Sequence, residues 1–309
     1  LNIAVVGATG DGYVTVYPCG SDRPETSNLN IEGASAVSNA VLAKLGEGGT
    51  VCIYSSVDAD VVVDISGYAD EDGAQFQPVR PHRITDTRTT RRPVPAGSVL
   101  RVPVRGKAAV PADTTSVVLN VAITDASGPG YATVYPCGID RPGTSNVNFE
   151  RGQAISNAVV SALGAGGAVC VYVSTTAHVI VDVNGAYAPS GSSKQRAVDP
   201  HRVLDTRETG NPVTGGREVT VPIAGRLGVP ADATAVMLNL TVVDPDGPGF
   251  ATVYPCGTTR PLASNVNVDG RSAVPNAVFA PVGESGSVCV YVSTTAHVVV
   301  DVTGYAAPA

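Results

Sequence analysis

Short runs of Val, Thr and Tyr alternate with small or polar residues along the chain and break at Gly, Pro, Asn or Asp. This is the pattern of brief strands joined by turns. In the middle of the chain it predicts strands over 99–105, 115–123, 131–136, 145–149, 155–161, 168–173 and 178–183. Turns fall at Gly128-Pro129-Gly130, Gly164-Ala165-Gly166-Gly167 and Asn184-Gly185. Alternation puts Tyr135 and Cys137 on one face of their strand, and Cys170 and Tyr172 on one face of theirs. Pro136 removes a ladder donor, so its strand should end or lie at an edge there. Residues 152–163 have a spacing that also fits one short helix. The fold class expected is all-β, in antiparallel β-sandwich form rather than a closed barrel.

The pattern is written three times. Tyr135-Pro136-Cys137-Gly138, Ser145-Asn146-Val147-Asn148 and Val181-Asp182-Val183 recur as Tyr17-Pro18-Cys19-Gly20, Ser27-Asn28-Leu29-Asn30 and Val63-Asp64-Ile65, and again as Tyr254-Pro255-Cys256-Gly257, Ser264-Asn265-Val266-Asn267 and Val300-Asp301-Val302. The offset is 118 residues from first to second copy and becomes 119 after Ala186. One structural unit must therefore explain every copy. A lead-in with Pro81-His82-Arg83 and Asp86-Thr87-Arg88 precedes the second copy, and one with Pro200-His201-Arg202 and Asp205-Thr206-Arg207 precedes the third. The first copy begins at Leu1-Asn2, the counterpart of Leu119-Asn120, without one. The organisation expected is three domains of about 119 residues: a truncated first repeat over 1–72 lacking its N-terminal strands, a second over 78–188 and a third over 196–309. The short linkers at 69–75 and 189–194 predict beads in a row with restricted bending.

Six cysteines, two per repeat and always 33 positions apart, refine this picture. They predict the bridges Cys19–Cys52, Cys137–Cys170 and Cys256–Cys289 and an oxidising, extracellular compartment. Zinc would need closer ligand spacing, so neither metal nor cofactor is expected. No apolar run is long enough to span a bilayer, which argues against membrane insertion. Residues 1–79 hold 11 acidic and 2 basic side chains, whereas 80–107 hold 8 basic ones against Asp86 alone. An acidic half-unit beside a basic lead-in is suited to docking within or between chains. At net charge −7 the small basic run does not point to nucleic acid.

The candidate chemistry is sparse. His82, Arg83, Asp86 and Arg88, repeated as His201, Arg202, Asp205 and Arg207, contain a histidine near a carboxylate and paired arginines. Repetition with the fold favours a structural polar network over a catalytic site. His178 and Asp182 share a strand face, but the first copy has Asp60 and Asp64 there, so the histidine is dispensable. No nucleophile elbow is present, and no enzyme is expected. Asn146, Asn148 and Asn157 with Asp182 and an exposed Tyr131 or Tyr172 form the candidate glycan-binding set. The alternative for the asparagines is satisfaction of backbone groups at strand ends.

The motifs Pro-His-Arg-x-x-Asp-Thr-Arg, Val-Pro-Ala-Asp, Leu-Asn, Tyr-Pro-Cys-Gly, Ser-Asn-x-Asn and Val-Asp-Val-x-Gly-Tyr together resemble the repeats of secreted surface proteins of actinobacterial type. The resemblance implies export and modularity and no particular activity. The expectation is an extracellular structural or surface-assembly protein, secreted or attached to the cell surface. Self-association into a filament or layer would follow if the first repeat's open edge accepts another chain. The alternative is a multivalent, lectin-like adhesion module binding cell-surface glycan.

Overall fold

The computed structural model describes residues 1–33, 36–270 and 273–309. Its regular structure is antiparallel strand apart from two three-residue 3-10 turns, Glu47–Gly49 and Glu284–Gly286. The first repeat forms β1 (Asn2–Val6), β2 (Gly12–Pro18), β3 (Leu29–Ile31), β4 (Val37–Ala40), β5 (Val51–Ser55) and β6 (Asp60–Asp64). These make two three-stranded sheets, ordered β4-β1-β6 and β3-β2-β5.

The second repeat adds two lead-in strands, β7 (Gln75–Asp86) and β8 (Ser98–Pro103), before β9 (Ser116–Thr124), β10 (Gly130–Pro136), β11 (Val147–Phe149), β12 (Ile155–Ala162), β13 (Ala168–Val173) and β14 (His178–Ala188). Each sheet thereby gains a fourth strand, giving β12-β9-β14-β7 and β11-β10-β13-β8. The third repeat does the same with β15 (Ser193–Asp205), β16 (Arg217–Pro222), β17 (Ala235–Val243), β18 (Gly249–Pro255), β19 (Val266–Val268), β20 (Ala273–Pro281), β21 (Ser287–Val292) and β22 (His297–Pro308). A single bridge between Phe76 and Ser193 joins β7 to β15, so one sheet of each repeat continues into the other as eight strands.

The strand expected over 99–105 is β8, whereas β7 and β15 were hidden in the sequence. Pro78, Pro81 and Pro200 made their segments read as linker and strand end, yet β7 starts at Gln75 and β15 at Ser193. Apart from the Phe76–Ser193 bridge, each is paired on one side only, where proline's missing donor costs least. Residues 155–162 are the strand β12, not a helix. Pro136 ends β10, as its lost donor requires.

All three predicted disulfides are formed: Cys19–Cys52, Cys137–Cys170 and Cys256–Cys289. In the third repeat Tyr254 and Tyr291 pack about the bridge, the two-ring flank that alternation predicts. Gly46, Gly164 and Gly283 lie against the preceding cysteine, where a Cβ would sit 2.1 to 2.3 Å from backbone atoms of Cys19, Cys137 or Cys256. Only glycine fits there.

Strand β9 reads Ser-Val-Val-Leu-Asn-Val-Ala-Ile-Thr and is buried on both faces. Val117, Leu119, Val121 and Ile123 point into the core between the two sheets. Val118 lies on the opposite face, in a second apolar cluster with Val160, Tyr187, Phe76, Met237, Phe279, Ala235, Ala306 and Leu42. That cluster draws on all three repeats. The sheets carrying it are middle layers, covered on one side by their own sandwich and on the other by their neighbours.

The repeats do not run as beads in a row; they close on themselves. Edge strands β4, β12 and β20 meet, and each offers a backbone N–H to an asparagine of the next repeat. Ala40 donates to Asn157 Oδ1 at 3.0 Å, Ala158 to Asn276 Oδ1 at 2.9 Å and Ala277 to Asn39 Oδ1 at 3.0 Å. The cycle runs first to second, second to third and third back to first. Three exposed sheet edges are thus consumed in one seam, which removes them as templates for aggregation. A bead model fails because the second repeat buries Asn157 against the first repeat and Asn120 against the third.

Candidate interface at the open edge of the first repeat

In the second and third repeats the lead-in strand is locked on by charge. Arg83 grips Asp182 with Nε–Oδ1 at 2.8 Å and Nη2–Oδ2 at 3.2 Å, and its Nη1 reaches Asp86 Oδ2 at 3.4 Å. Asp86 in turn accepts from Arg88 Nε at 3.0 Å, Nη2 at 2.8 Å and the Arg88 backbone N–H at 3.0 Å. The third repeat repeats this: Arg202 holds Asp301 at 2.9 and 3.3 Å and Asp205 at 3.3 Å, while Arg207 Nε meets Asp205 at 2.9 Å. The chain of charges staples β7 to β14 and β15 to β22.

The electrostatics divide by burial. Hydrogen bonds from the Arg88 and Arg207 side chains hold Asp86 and Asp205 below the usual carboxylate range. Burial pushes the carboxyls of Asp182 and Asp301 above it, against the pull of Arg83 and Arg202. Asp182 and Asp301 are each 1% exposed, so they depend on those arginines. His82 and His201, grouped with these residues in the sequence, point to solvent and take no part. The histidines that do join are His178, whose Nδ1 is 3.0 Å from Thr87 Oγ1, and His297, 3.0 Å from Thr206 Oγ1. The repeated threonine after Asp86 and Asp205 was the available signal.

The first repeat has no such staple. Asp64 stands where Asp182 and Asp301 stand, and among the described residues its carboxylate has no arginine. Among the described residues no strand lies outside β6 or β5. Val61, Val62 and Val63 are 37%, 48% and 43% exposed. Their counterparts Val179, Ile180 and Val181 are 0%, 4% and 0% exposed, and Val298, Val299 and Val300 are 0%, 3% and 0%. At the usual transfer value this forgoes about 1 kcal/mol of hydrophobic stabilisation per valine. Across the opening, Val51 and Ile53 of β5 are only half-buried, whereas Val169, Val171, Val288 and Val290 are sealed. Beyond Asp64 the chain leaves the sheet, and Ile65 and Tyr68 are 80% and 87% exposed. The result is a cleft with apolar walls, bare strand edges on two sheets and an unmatched aspartate.

The candidate glycan set divides between buried and accessible residues. Asn146 is buried, its Oδ1 accepting the Val134 N–H at 2.7 Å. Asn157 is buried in the seam, donating to Asn146 O at 2.6 Å. Asp182 is held by Arg83. Tyr131, Asn148 and Tyr172 remain half-exposed, Tyr131 lying opposite Asn148 on β10 and β11.

A different surface feature accompanies them in each repeat. Tyr131 and Tyr172 have ring centroids 5.9 Å apart, and the Arg141 guanidinium lies 4.1 Å from the Tyr172 ring. Tyr13, Tyr54 and Arg23 form the same group at 5.8 and 3.7 Å, and Phe250, Tyr291 and Arg260 at 5.9 and 3.9 Å. The arginine of each Arg-Pro pair was the residue overlooked; its fixed spacing from the Tyr-Pro-Cys-Gly motif was the clue. Among the described residues no three His, Cys, Asp or Glu side chains converge as a metal site.

No family model and no curated protein matches the chain. Among solved structures, a tandem of CBM22 domains from a Paenibacillus barcinonensis protein is similar at 11% identity, covering 77% of this chain and 100% of that one, with a TM-score of 0.21. A Sulfolobus turreted icosahedral virus structure gives 9% identity over 100% of this chain and 80% of that one, with a TM-score of 0.20. A Penaeus vannamei nodavirus structure gives 11% identity over 78% and 93%, with a TM-score of 0.18. Likenesses this low carry no argument about this chain.

Proposed function

We infer that the protein is an extracellular structural or surface-assembly module. In this reading each repeat is a disulfide-stapled β-domain of about 119 residues, and the ring of three is building material rather than a catalyst. The observation that carries it is the cyclic seam, in which three copies of one bridged sandwich lock together through buried asparagines. The three disulfides favour an oxidising compartment, and no helix is long and apolar enough to cross a membrane. The motif likeness to actinobacterial surface repeats agrees with export. The contact between repeats closes at three, so growth between copies would use a surface outside that seam. Light scattering over a concentration series, with electron micrographs of the same samples, tests assembly. A concentration-dependent increase in mass supports the reading. A monodisperse monomer throughout contradicts assembly in copies of the chain.

A second reading, a multivalent glycan binder, is favoured by the three repeated pairs of aromatic rings with their arginine. Three equal sites on a rigid ring would give avidity. Glycan-array binding lost in Tyr131→Ala or Asn148→Ala at unchanged melting temperature would support it.

A further inference from the structure

We propose that the aromatic pair and arginine of each repeat form a site for an acidic sugar, the guanidinium taking the carboxylate of a uronate unit and the rings its apolar face. The inference rests on the glycan-binding reading and names the class of sugar. In each repeat the group stands on the side of its sheet turned away from the core. Ala132 and Val147 enter the core of the second repeat, so Tyr131 and Asn148, one step along the same strands and opposite each other, point outward. Tyr13 faces Asn30 and Phe250 faces Asn267 in the same register.

The arginines are held by their flat faces while their donors stay free. Arg23 lies 3.7 Å from the Tyr54 ring, Arg141 4.1 Å from Tyr172 and Arg260 3.9 Å from Tyr291. A guanidinium stacked in this way keeps its N–H groups around its rim, in the fork that matches a carboxylate. Arg83, Arg88, Arg202 and Arg207 engage that fork with aspartates of the chain. Among the described residues Arg23, Arg141 and Arg260 form no ion pair, although Asp22 and Asp140 adjoin two of them in sequence. Their one hydrogen bond among those residues, from Arg141 Nη1 to the Tyr131 hydroxyl, is long at 3.4 Å. All three arginines are exposed, and the rings and asparagines beside them are half-buried. Asn267 Nδ2 has no acceptor among the described residues, so the third repeat also holds an unclaimed amide donor. A uronate unit offers the matching set of planar carboxylate, C–H face and hydroxyls. An acidic peptide offers the carboxylate without the face.

The three copies differ in a way that ranks them. The turn bearing the arginine reads Gly-Thr-Thr-Arg-Pro-Leu-Ala in the third repeat, without an acidic residue. It reads Gly-Ile-Asp-Arg-Pro-Gly-Thr in the second and Gly-Ser-Asp-Arg-Pro-Glu-Thr in the first, with one and two acidic residues. Like charge opposes an anionic ligand, so affinity should fall from the third repeat to the first.

The test titrates the intact chain by calorimetry with a galacturonate hexamer, a neutral galactose hexamer and hexaglutamate. Binding of the galacturonate is expected, weakened about tenfold by Arg260→Gln and less by Arg141→Gln or Arg23→Gln. Arg260→Lys, which keeps the charge without the fork, should restore little of it. Thermal melts should be unchanged, because each arginine is exposed and free of ion pairs. Galactose bound as tightly as galacturonate overturns the acidic-sugar assignment and leaves the glycan reading standing. Hexaglutamate bound as tightly, or binding that Arg260→Lys fully preserves, reduces the site to charge attraction and overturns it as well. No binding of the galacturonate overturns the inference, and the glycan array then decides the broader reading by itself.

Discussion

Asn157 Nδ2 donates to Asn2 Oδ1 at 3.1 Å across the seam between the second and first repeats, although the two residues are 155 positions apart. The same bond joins Asn276 to Asn120 at 2.9 Å and Asn39 to Asn239 at 2.9 Å. The recipients donate onward, Asn2 to Ser145 O, Asn120 to Ser264 O and Asn239 to Ser27 O, each at 2.7 Å. Six amides buried to 3% exposure or less are therefore all engaged, as buried amides must be.

Removing one of them should cost folding. Asn157→Ala leaves the Ala40 N–H and the Asn2 amide oxygen without their partner, and a destabilisation of about 2 kcal/mol is expected. Asn148→Ala, at a half-exposed site, should stay within about 0.5 kcal/mol. Urea unfolding of both variants checks the contrast.

How much of this was legible differs by element. Alternation located β9 to β14, and fixed spacing located the disulfides, because both signals are local or repeated. β7 and β15 were missed because prolines mask a strand that is one-sided. The charge network was visible as a group, but His82 stands outside it and His178 meets Thr87 beside it, since strand register rather than sequence proximity decides which side chains meet. The asparagines were seen and their partners were not. A bond from Asn39 to Asn239 depends on the ring closing, which no single repeat encodes.

Breaking the staple should destabilise the second repeat. Asp182→Ala strands Arg83 beside a buried space, and a loss of about 3 kcal/mol is expected from breaking a buried pair. The equivalent Asp64→Ala in the first repeat, where no arginine waits, should change little. Thermal unfolding of the two variants side by side measures the difference.

Acid should act through Asp86 and Asp205. Their folded values lie below 3.8 because Arg88 and Arg207 bond to them, so their contribution is present above 3.8 and is lost as pH falls through the lowered values. Asp182 and Asp301, raised by burial, act in the opposite sense: their contribution fades as pH rises from 3.8 through the raised values. An Asp86→Asn, Asp205→Asn double variant should lose less stability than the native protein on acidification below pH 3.8, as followed by circular dichroism.

Each disulfide closes a separation of 33 residues, which is worth about 4 kcal/mol in the loop-entropy account. Replacing Cys137 and Cys170 together by serine should lower stability by about that amount. Gly164→Ala should be comparably damaging with the bridge intact, since its Cβ would lie 2.1 Å from Cys137 O. Denaturant titration of both variants tests the pair.

Closure of the three repeats into a ring is the claim on which the rest depends, and small-angle scattering of the monomer measures it. A closed chain of 309 residues should give a radius of gyration of about 19 Å. A value of about 28 Å, as expected for three compact units in a row, would contradict it.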